Sequence, residues 1–452
     1  MPLALPLARI AALAGLCLAA AAAAPSGAAT AAFGTGTPGF VVSAAPESLS
    51  NAANAGEPSL GVSWKSGNAL FMSLTSTYKL RFDDHAQPPT VTWSDVSSPY
   101  SLFNIDPILA TDPASGVTLA GGDDGACAVM SRTSDDGESW SYGLPCTLVV
   151  DHPSVAVGPL HGGAPGAQPA AYFCQQYPSV NQCAHSADGG ATWTPSLPGT
   201  GCYGLFGHLK VAADGTVYAP SKNCSAGGVN GLGGFVSRDN GTSWSSWVIP
   251  GAVTPERGFD PSVAAATDGT LYETWARNGD AHPVVAVSSD GSAHWTKPVD
   301  LADSVKPALT GATFTTMVAG GPGRAAVAFL GTRHQPKDGT VAIDDVDATW
   351  DLFVATTYDG GTTWTTTQVT SDPVQRGAIS DGGVGATSQR NLLDFMDAGV
   401  TREGRVIVAF ADGCTAKTGC TSEGAKAETS TEDYATVAYQ SVGRGLFAQY
   451  DQ

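Results

Sequence analysis

The sequence predicts an all-β fold: a single β-propeller of four-stranded blades, seven by count, with six as the alternative. Three observations lead there. An eight-residue pattern, Ser/Thr-x-Asp-x-Gly-x-Ser/Thr-Trp, recurs at Thr133–Trp140, Ser186–Trp193, Ser237–Trp244 and Thr357–Trp364. A worn copy at Ser288–Trp295 has Ser292 in the Gly position and His294 in the Ser/Thr position. The five Asp positions, 135, 188, 239, 290 and 359, lie 53, 51, 51 and 69 residues apart, close to the length of one blade. The composition fits many short strands joined by turns: 55 Gly, 29 Pro and only 14% charged residues, with no long apolar helical stripe.

Each position of the repeat has a physical task. The Asp carboxylate accepts bonds from the turn's own amides, the Gly supplies a backbone angle closed to other residues, and the Trp opens the next strand with a large ring to bury. The repeat resembles the Asp-box of the sialidase-type (BNR) β-propellers. That resemblance covers nearly the whole chain after residue 38 and implies that the turns join the third and fourth strands of each blade.

In chain order, residues 1–24 are expected to be a secretory signal peptide, with Arg9 as the basic end and Ile10–Ala24 as the apolar run. Residues 25–38, rich in Ala, Gly, Thr and Pro, read as a flexible leader, and residues 39–452 as the propeller domain. Phe40-Val41-Val42 is the segment able to close the ring against the last blade. A second repeat then runs in step with the first. Glu57-Pro-Ser-Leu, Asp106-Pro-Ile-Leu, His152-Pro-Ser-Val, His208-Leu-Lys-Val and Asp260-Pro-Ser-Val each place a polar residue before a short apolar strand, with Thr315-Thr-Met-Val and Asp394-Phe-Met-Asp as looser copies. The units run from 57–105, 106–150, 151–205, 206–256, 257–310, 311–388 and 389–449.

Eight cysteines follow Cys17. An even number after a signal peptide reads as disulfides, with local pairs Cys127–Cys146, Cys174–Cys183, Cys202–Cys224 and Cys414–Cys420 expected. Without Arg9, 21 basic face 41 acidic residues, a net of −20. That balance excludes nucleic acid and anionic membrane as natural partners. No second apolar run could anchor the chain in a membrane, and the expectation is a secreted monomer.

Topology ranks the chemistry. If the repeated turns lie on one face, the starts of the inner strands surround the mouth of the central channel on the other. Glu57, Asp106, His152, His208 and Asp260 are the candidate acid–base residues there, with Asp394 beside them. Five of the twelve arginines after Arg9 fall in loops of that face: Arg257, Arg277, Arg333, Arg376 and Arg390. Their planar forks suit a carboxylate, so Arg257, Arg277, Arg333 and Arg390 are candidate substrate ligands. Asp394 and Tyr203 join them; Tyr177 is a further loop tyrosine, and Tyr78 lies near a loop of that face. No cofactor is required. A structural calcium ion has candidate loops at Asp123-Asp124 and at Asp344, Asp345 and Asp347.

The resemblance implies a carbohydrate-active protein. Sialidases carry a Phe/Tyr-Arg-Ile-Pro motif on their first inner strand, whereas this chain reads Gly56-Glu57-Pro58-Ser59, so that arginine has no counterpart here. The leading expectation is a glycoside hydrolase on a glycan containing sialic or uronic acid. A polysaccharide lyase using His152 or His208 is the second reading, and a non-catalytic propeller that binds glycan or protein is the third.

Overall fold

The computed structural model describes Met1 and residues 34–101, 106–123, 127–143, 151–176, 181–253, 260–335, 343, 345, 347–379, 392–415, 420 and 432–451. Chain contacts separate Met1–Ala31 from Ala32–Gln452, and the fold below is that of the second unit. Among the described residues there is no α-helix, and no helix long and apolar enough to cross a membrane.

Seven antiparallel sheets form seven blades. Blade one contains Ser59–Val62, Ala69–Ser73, Ser76–Asp83 and Thr90–Asp95, from the axis outward. Blade two contains Pro107–Thr111, Thr118–Asp123, Ala128–Thr133 and Ser141–Gly143, and blade three Asp151–Gly158, Ala170–Gln176, Asn181–Ser186 and Thr194–Ser196. The innermost strands touch in chain order, and Asp397–Val400 of blade seven touches Ser59–Val62 of blade one, which completes the ring. These strands are short and small-sided because they converge on the axis. A Cβ on Gly61 would lie 2.0 Å from Thr111 Oγ1 of the next blade, so only Gly lets the two strands approach this closely.

Blade seven takes its outermost strand from the other end of the chain. Gly39–Ala44 pairs with Tyr434–Val442, outside Val406–Asp412 and Asp397–Val400. The Phe40-Val41-Val42 segment therefore closes the ring as the sequence suggested. One boundary differs from the sequence reading. Blade four begins at Cys202, four residues before the expected 206, because its long strand Val217–Ala226 pairs with both Lys210–Val211 and Cys202–Phe206. The Cys202–Cys224 disulfide staples that extension. Cys174–Cys183 and Cys414–Cys420 are also bonded as expected. The Cys127–Cys146 pairing involves Cys146, which lies outside the described residues.

The repeated turns join third to fourth strands and share one bonding scheme. Asp188 Oδ1 accepts from the amides of Ala191 at 3.0 Å and Thr192 at 2.8 Å, and from Ser186 Oγ at 2.7 Å. Its Oδ2 accepts from Thr192 Oγ1 at 2.7 Å. Burial would raise this carboxyl, but the bonds from Thr192, Ser186 and Ala191 outweigh it and hold the group at about 2. Gly190 occupies φ +91° in this turn, and Trp193 Nε1 donates to its carbonyl at 3.0 Å. The worn copy works by substitution: His294 supplies its amide to Asp290 Oδ1 at 2.9 Å and its ring nitrogen faces Asp290 Oδ2 at 2.6 Å. These turns pack against the first-to-second-strand hairpins of the preceding blade. Asn240 Oδ1, for example, accepts from the His161 amide at 2.7 Å. They therefore occupy the end of the ring away from the inner-strand starts.

Between blades the packing is aromatic and aliphatic, with Trp275, Trp350, Tyr172 and Phe353 among the largest fully buried side chains. One buried acid interrupts it. Glu273, on the second strand of blade five, is fully buried and accepts from Trp247 Nε1 of blade four at 2.8 Å. Burial, only partly opposed by that bond, pushes its carboxyl well above the ordinary value. A raised folded pKa gives stability that is complete below the unfolded value and lost as pH rises through the folded one. Glu273→Gln keeps the acceptor for Trp247 without an ionisable group. Its melting temperature is expected to gain on the wild type steadily between pH 5 and pH 8. A gap independent of pH in calorimetry would show that Glu273 does not titrate in this range.

Candidate active site at the channel mouth

Several inner strands begin with a sharp change of direction. Glu57, His152 and Leu393, all non-glycine, sit at φ +57°, +53° and +60° just before the inner strands, or at their first residues, in blades one, three and seven. Left-handed geometry at such residues is uncommon and clusters at functional sites. Here it marks the turns by which the chain enters these inner strands.

Two histidine–carboxylate pairs cross the mouth. His152 of blade three places Nδ1 3.6 Å from Asp260 Oδ2 of blade five. His208 of blade four places Nδ1 3.4 Å from Asp397 Oδ1 of blade seven. The ring of Phe395 lies against both imidazoles, with centroids 4.4 Å from His208 and 6.4 Å from His152.

The two carboxylates live in opposite environments. Burial raises Asp260 to about 6, and the negative charge of Asp394 adds to this, while His152, His208 and Lys222 pull the other way. Neither Asp260 oxygen has a hydrogen-bond partner among the described residues. Asp397 is just as deeply placed, yet Lys210, His208 and the Leu60 amide overcome burial and hold it well below the carboxylate range. Lys210 Nζ lies 3.4 Å from Oδ1, the Leu60 amide donates to Oδ2 at 3.0 Å, and the Ala398 amide donates to Oδ1 at 2.9 Å. One carboxyl is thus poised to carry a proton near neutrality and the other is fixed as an anion.

The remaining sequence candidates are distributed around this centre. Asp394 reaches Asp260 electrostatically. Glu57 is buried beneath the mouth, one residue after Gly56, whose missing Cβ leaves room for Leu393 and the Asp433 carboxylate. Asp433 is raised to about 7 by burial, against the bonds it takes from the backbone of Ala55 and Gly56. Asp106 is half-buried directly before the inner strand of blade two. Tyr203 projects outward from Cys202–Phe206 and is 62% exposed. Tyr78 belongs to the core, stacked on Phe71 and edge-on to Trp93, with its hydroxyl donating to the Ser50 carbonyl.

The arginines are engaged elsewhere. Arg277 donates to Asp280 at 2.5 Å and to Asp300, on the outermost strand of blade five, at 2.6 Å. These bonds raise its already high pKa further. Arg333 lies 3.6 Å from Asp351 and over the Phe353 ring, and Arg376 Nε donates to the Cys420 carbonyl. Arg257, Arg390 and Tyr177 lie outside the described residues. Of the calcium candidates, Asp345 faces His334 Nε2 at 3.1 Å and accepts from the Asp347 amide, while Asp124 and Asp344 lie outside the described residues. The group of metal-type ligands gathered among the described residues is Asp280, His282 and Asp300, and the Arg277 guanidinium already lies on its two carboxylates.

Sequence reasoning missed Asp397, Lys210, Lys222 and Phe395. Asp394-Phe-Met-Asp397 offers two acids and no Pro to mark the strand start, and the strand begins at the second. Lys210 follows His208 by two residues, the spacing that puts side chains on one face of a strand, and that signal was legible. The axial cavity is lined by His208, Lys210 and Asp397 together with apolar residues of the inner strands and has a volume of about 180 Å³. That is less than the roughly 300–1,000 Å³ of common ligand pockets.

No protein-family model and no curated protein matches the chain. Among solved structures, YCF48 bound to D1 peptide superposes with a TM-score of 0.50 at 14% identity, covering 91% of this chain and 98% of that one. The GH74 xyloglucanase from Xanthomonas campestris also gives 0.50 at 14% identity, covering 83% of this chain and 53% of the enzyme. This chain therefore corresponds to about half of that enzyme. A Hadza microbial sialidase gives 0.42 at 15% identity, with 81% of this chain and 73% of the sialidase covered. At these identities the likeness establishes the propeller fold.

Proposed function

We propose that this chain is a carbohydrate-active propeller, a glycoside hydrolase acting on an acidic glycan containing sialic or uronic acid, with Asp260 as its proton donor. The observation that carries the reading is the pairing of a buried acid, raised and placed against His152, with a fixed anion at one mouth: Asp260 at about 6 and Asp397 held low. Glycosidic cleavage needs an acid that is still protonated near neutrality to give its proton to the leaving oxygen. Asp260 meets that need, and Phe395 offers an apolar face beside it for a sugar ring. Lys222 adds a positive charge that reaches Asp260. The neighbouring folds include glycoside hydrolases, which agrees with this reading at the level of the scaffold. The Ser/Thr-x-Asp-x-Gly-x-Ser/Thr-Trp turns keep their Asp-box role as structural turns. The signal-like leader and the disulfides support a secreted protein, working as a monomer.

A uronate lyase is the second reading, favoured by the two histidines that meet at the mouth with a carboxylate behind each Nδ1. Lyase chemistry also needs the uronate carboxylate neutralised at the reacting carbon. Arg277 and Arg333 are bound by carboxylates of their own blades, so the hydrolase reading ranks first. The deciding experiment incubates the purified protein with a panel of sialylated and uronate-containing glycans and follows reducing ends together with ultraviolet absorbance. Release without a new carbon–carbon double bond is expected. Release with one would replace the hydrolase by the lyase, and binding without release would make the mouth a glycan-recognition site.

A further inference from the structure

The His208–Asp397 pair reaches across the ring and is built differently from the His152–Asp260 pair. Asp397 receives the Leu60 amide from blade one, the Ala398 amide from its own strand, and Lys210 and His208 from blade four. Each of these neighbours is a donor or a cation, and its side chain is 2% exposed. An ionised carboxylate is an acceptor only, so the His208 nitrogen that faces it carries the proton. That leaves Nε2 as the bare, basic nitrogen. Nε2 is buried and has no hydrogen-bond partner among the described residues. Phe395 packs edge-on against the ring and limits its rotation. The groups that face His208 are Asp397, Lys210, Phe395 and, at longer range, Asp260.

We infer that Asp397 is a positioning residue: it fixes His208 in the Nδ1-protonated form so that Nε2 is the proton acceptor of the site. The inference rests on the hydrolase reading for its chemical use. There, a water oxygen forms a bond to the anomeric carbon as the carbon–oxygen bond to the leaving group breaks. The water's proton passes to His208 Nε2 and the proton of Asp260 passes to the leaving oxygen. Exchange with solvent then returns one proton to Asp260 and removes one from His208. Lys210 has a separate task. It binds the same Asp397 oxygen as His208, keeps that carboxyl ionised and tempers its pull on the imidazole.

The test needs no substrate. Protein labelled with ¹⁵N-histidine is read by ring-nitrogen NMR, with His208→Gln identifying the His208 signals by their loss. The wild type is expected to show a protonated Nδ1 and a bare Nε2 at pH 8, and a protonated Nε2 would overturn the assignment. Asp397→Asn retains the shape but must turn an NH₂ toward one of its donors. It is expected to move the His208 population toward the Nε2-protonated form. An unchanged tautomer in a folded variant would remove Asp397 from its positioning role. If that variant does not fold, Lys210→Met decides: the Nδ1 proton should stay, and the His208 titration midpoint should rise as Asp397 loses its competing cation. A midpoint that stays put or falls would overturn the inference. With a hydrolysed glycan in hand, Asp397→Asn should lower kcat on the order of 10²–10⁴-fold with little change in KM. A bare Nε2 with no hydrolysis of any glycan would leave the positioning role standing and sink only the hydrolase reading.

Discussion

Asp260→Asn is expected to lower turnover of the glycan substrate by about 10²–10⁴-fold, the usual worth of a positioned general acid. The change keeps the size of the side chain and removes the transferable proton. The wild-type rate should fall as pH rises through about 6, because the reactive form of Asp260 is the protonated one and burial sets its midpoint there. Stability should fall with pH in the same sense as activity. A carboxyl raised in the folded state loses its stabilising contribution as pH rises above the unfolded value. The Asn variant should therefore be at least as stable as the wild type at pH 8. Calorimetry and a pH–rate profile on both proteins check the two halves. A variant that retains full rate, or that loses rate only because it unfolds, would remove Asp260 as the acid.

Asp397→Ala is the second large effect, and it concerns the ring as a whole. The substitution deprives Lys210 and His208 of their shared anion and leaves the Leu60 and Ala398 amides without the acceptor they use. Removing one partner of a buried charge pair costs about 3–5 kcal/mol. The depressed folded pKa of Asp397 sets the pH dependence. Its contribution is complete above the ordinary aspartate value and fades as pH falls toward the folded one. The gap between variant and wild type in denaturant midpoints should be widest near neutrality and narrow in acid. A loss under 1 kcal/mol at pH 7 would mean that Lys210 and the two amides find other partners.

The fold was legible because its signals are local. A turn that satisfies its own amides with one Asp announces itself wherever it occurs, and Pro before a small apolar run marks four of the seven descents to the axis. Blade four was misplaced at its start because a disulfide and a doubly paired strand extend it. These are contacts that periodicity does not carry. The site was legible in part for the same reason. His152, His208 and Asp260 were found by their place before a strand, and the strands do bring them to one mouth. What they touch depends on residues two to four blades away. Asp397 escaped because its register, three residues beyond Asp394, is set by pairing with Val406–Asp412. The loop arginines were grouped by loop type, but a long side chain goes where its nearest carboxylate is. For Arg277 those are Asp280 and Asp300, and for Arg333 it is Asp351.

The strand borrowed from the beginning of the chain has a consequence for how the protein is made. Six blades can assemble from neighbouring residues as each is synthesised, since their strands follow one another directly. The seventh cannot. Gly39 accepts from Ser441 Oγ at a separation of 402 residues, and no order of events avoids holding the first strand unpaired until the last has emerged. Loop-closure entropy makes such distant pairings late and slow. Until then blade seven presents an unpartnered strand edge, the feature most prone to pair with another chain. The seam is thus the step at which folding and aggregation compete.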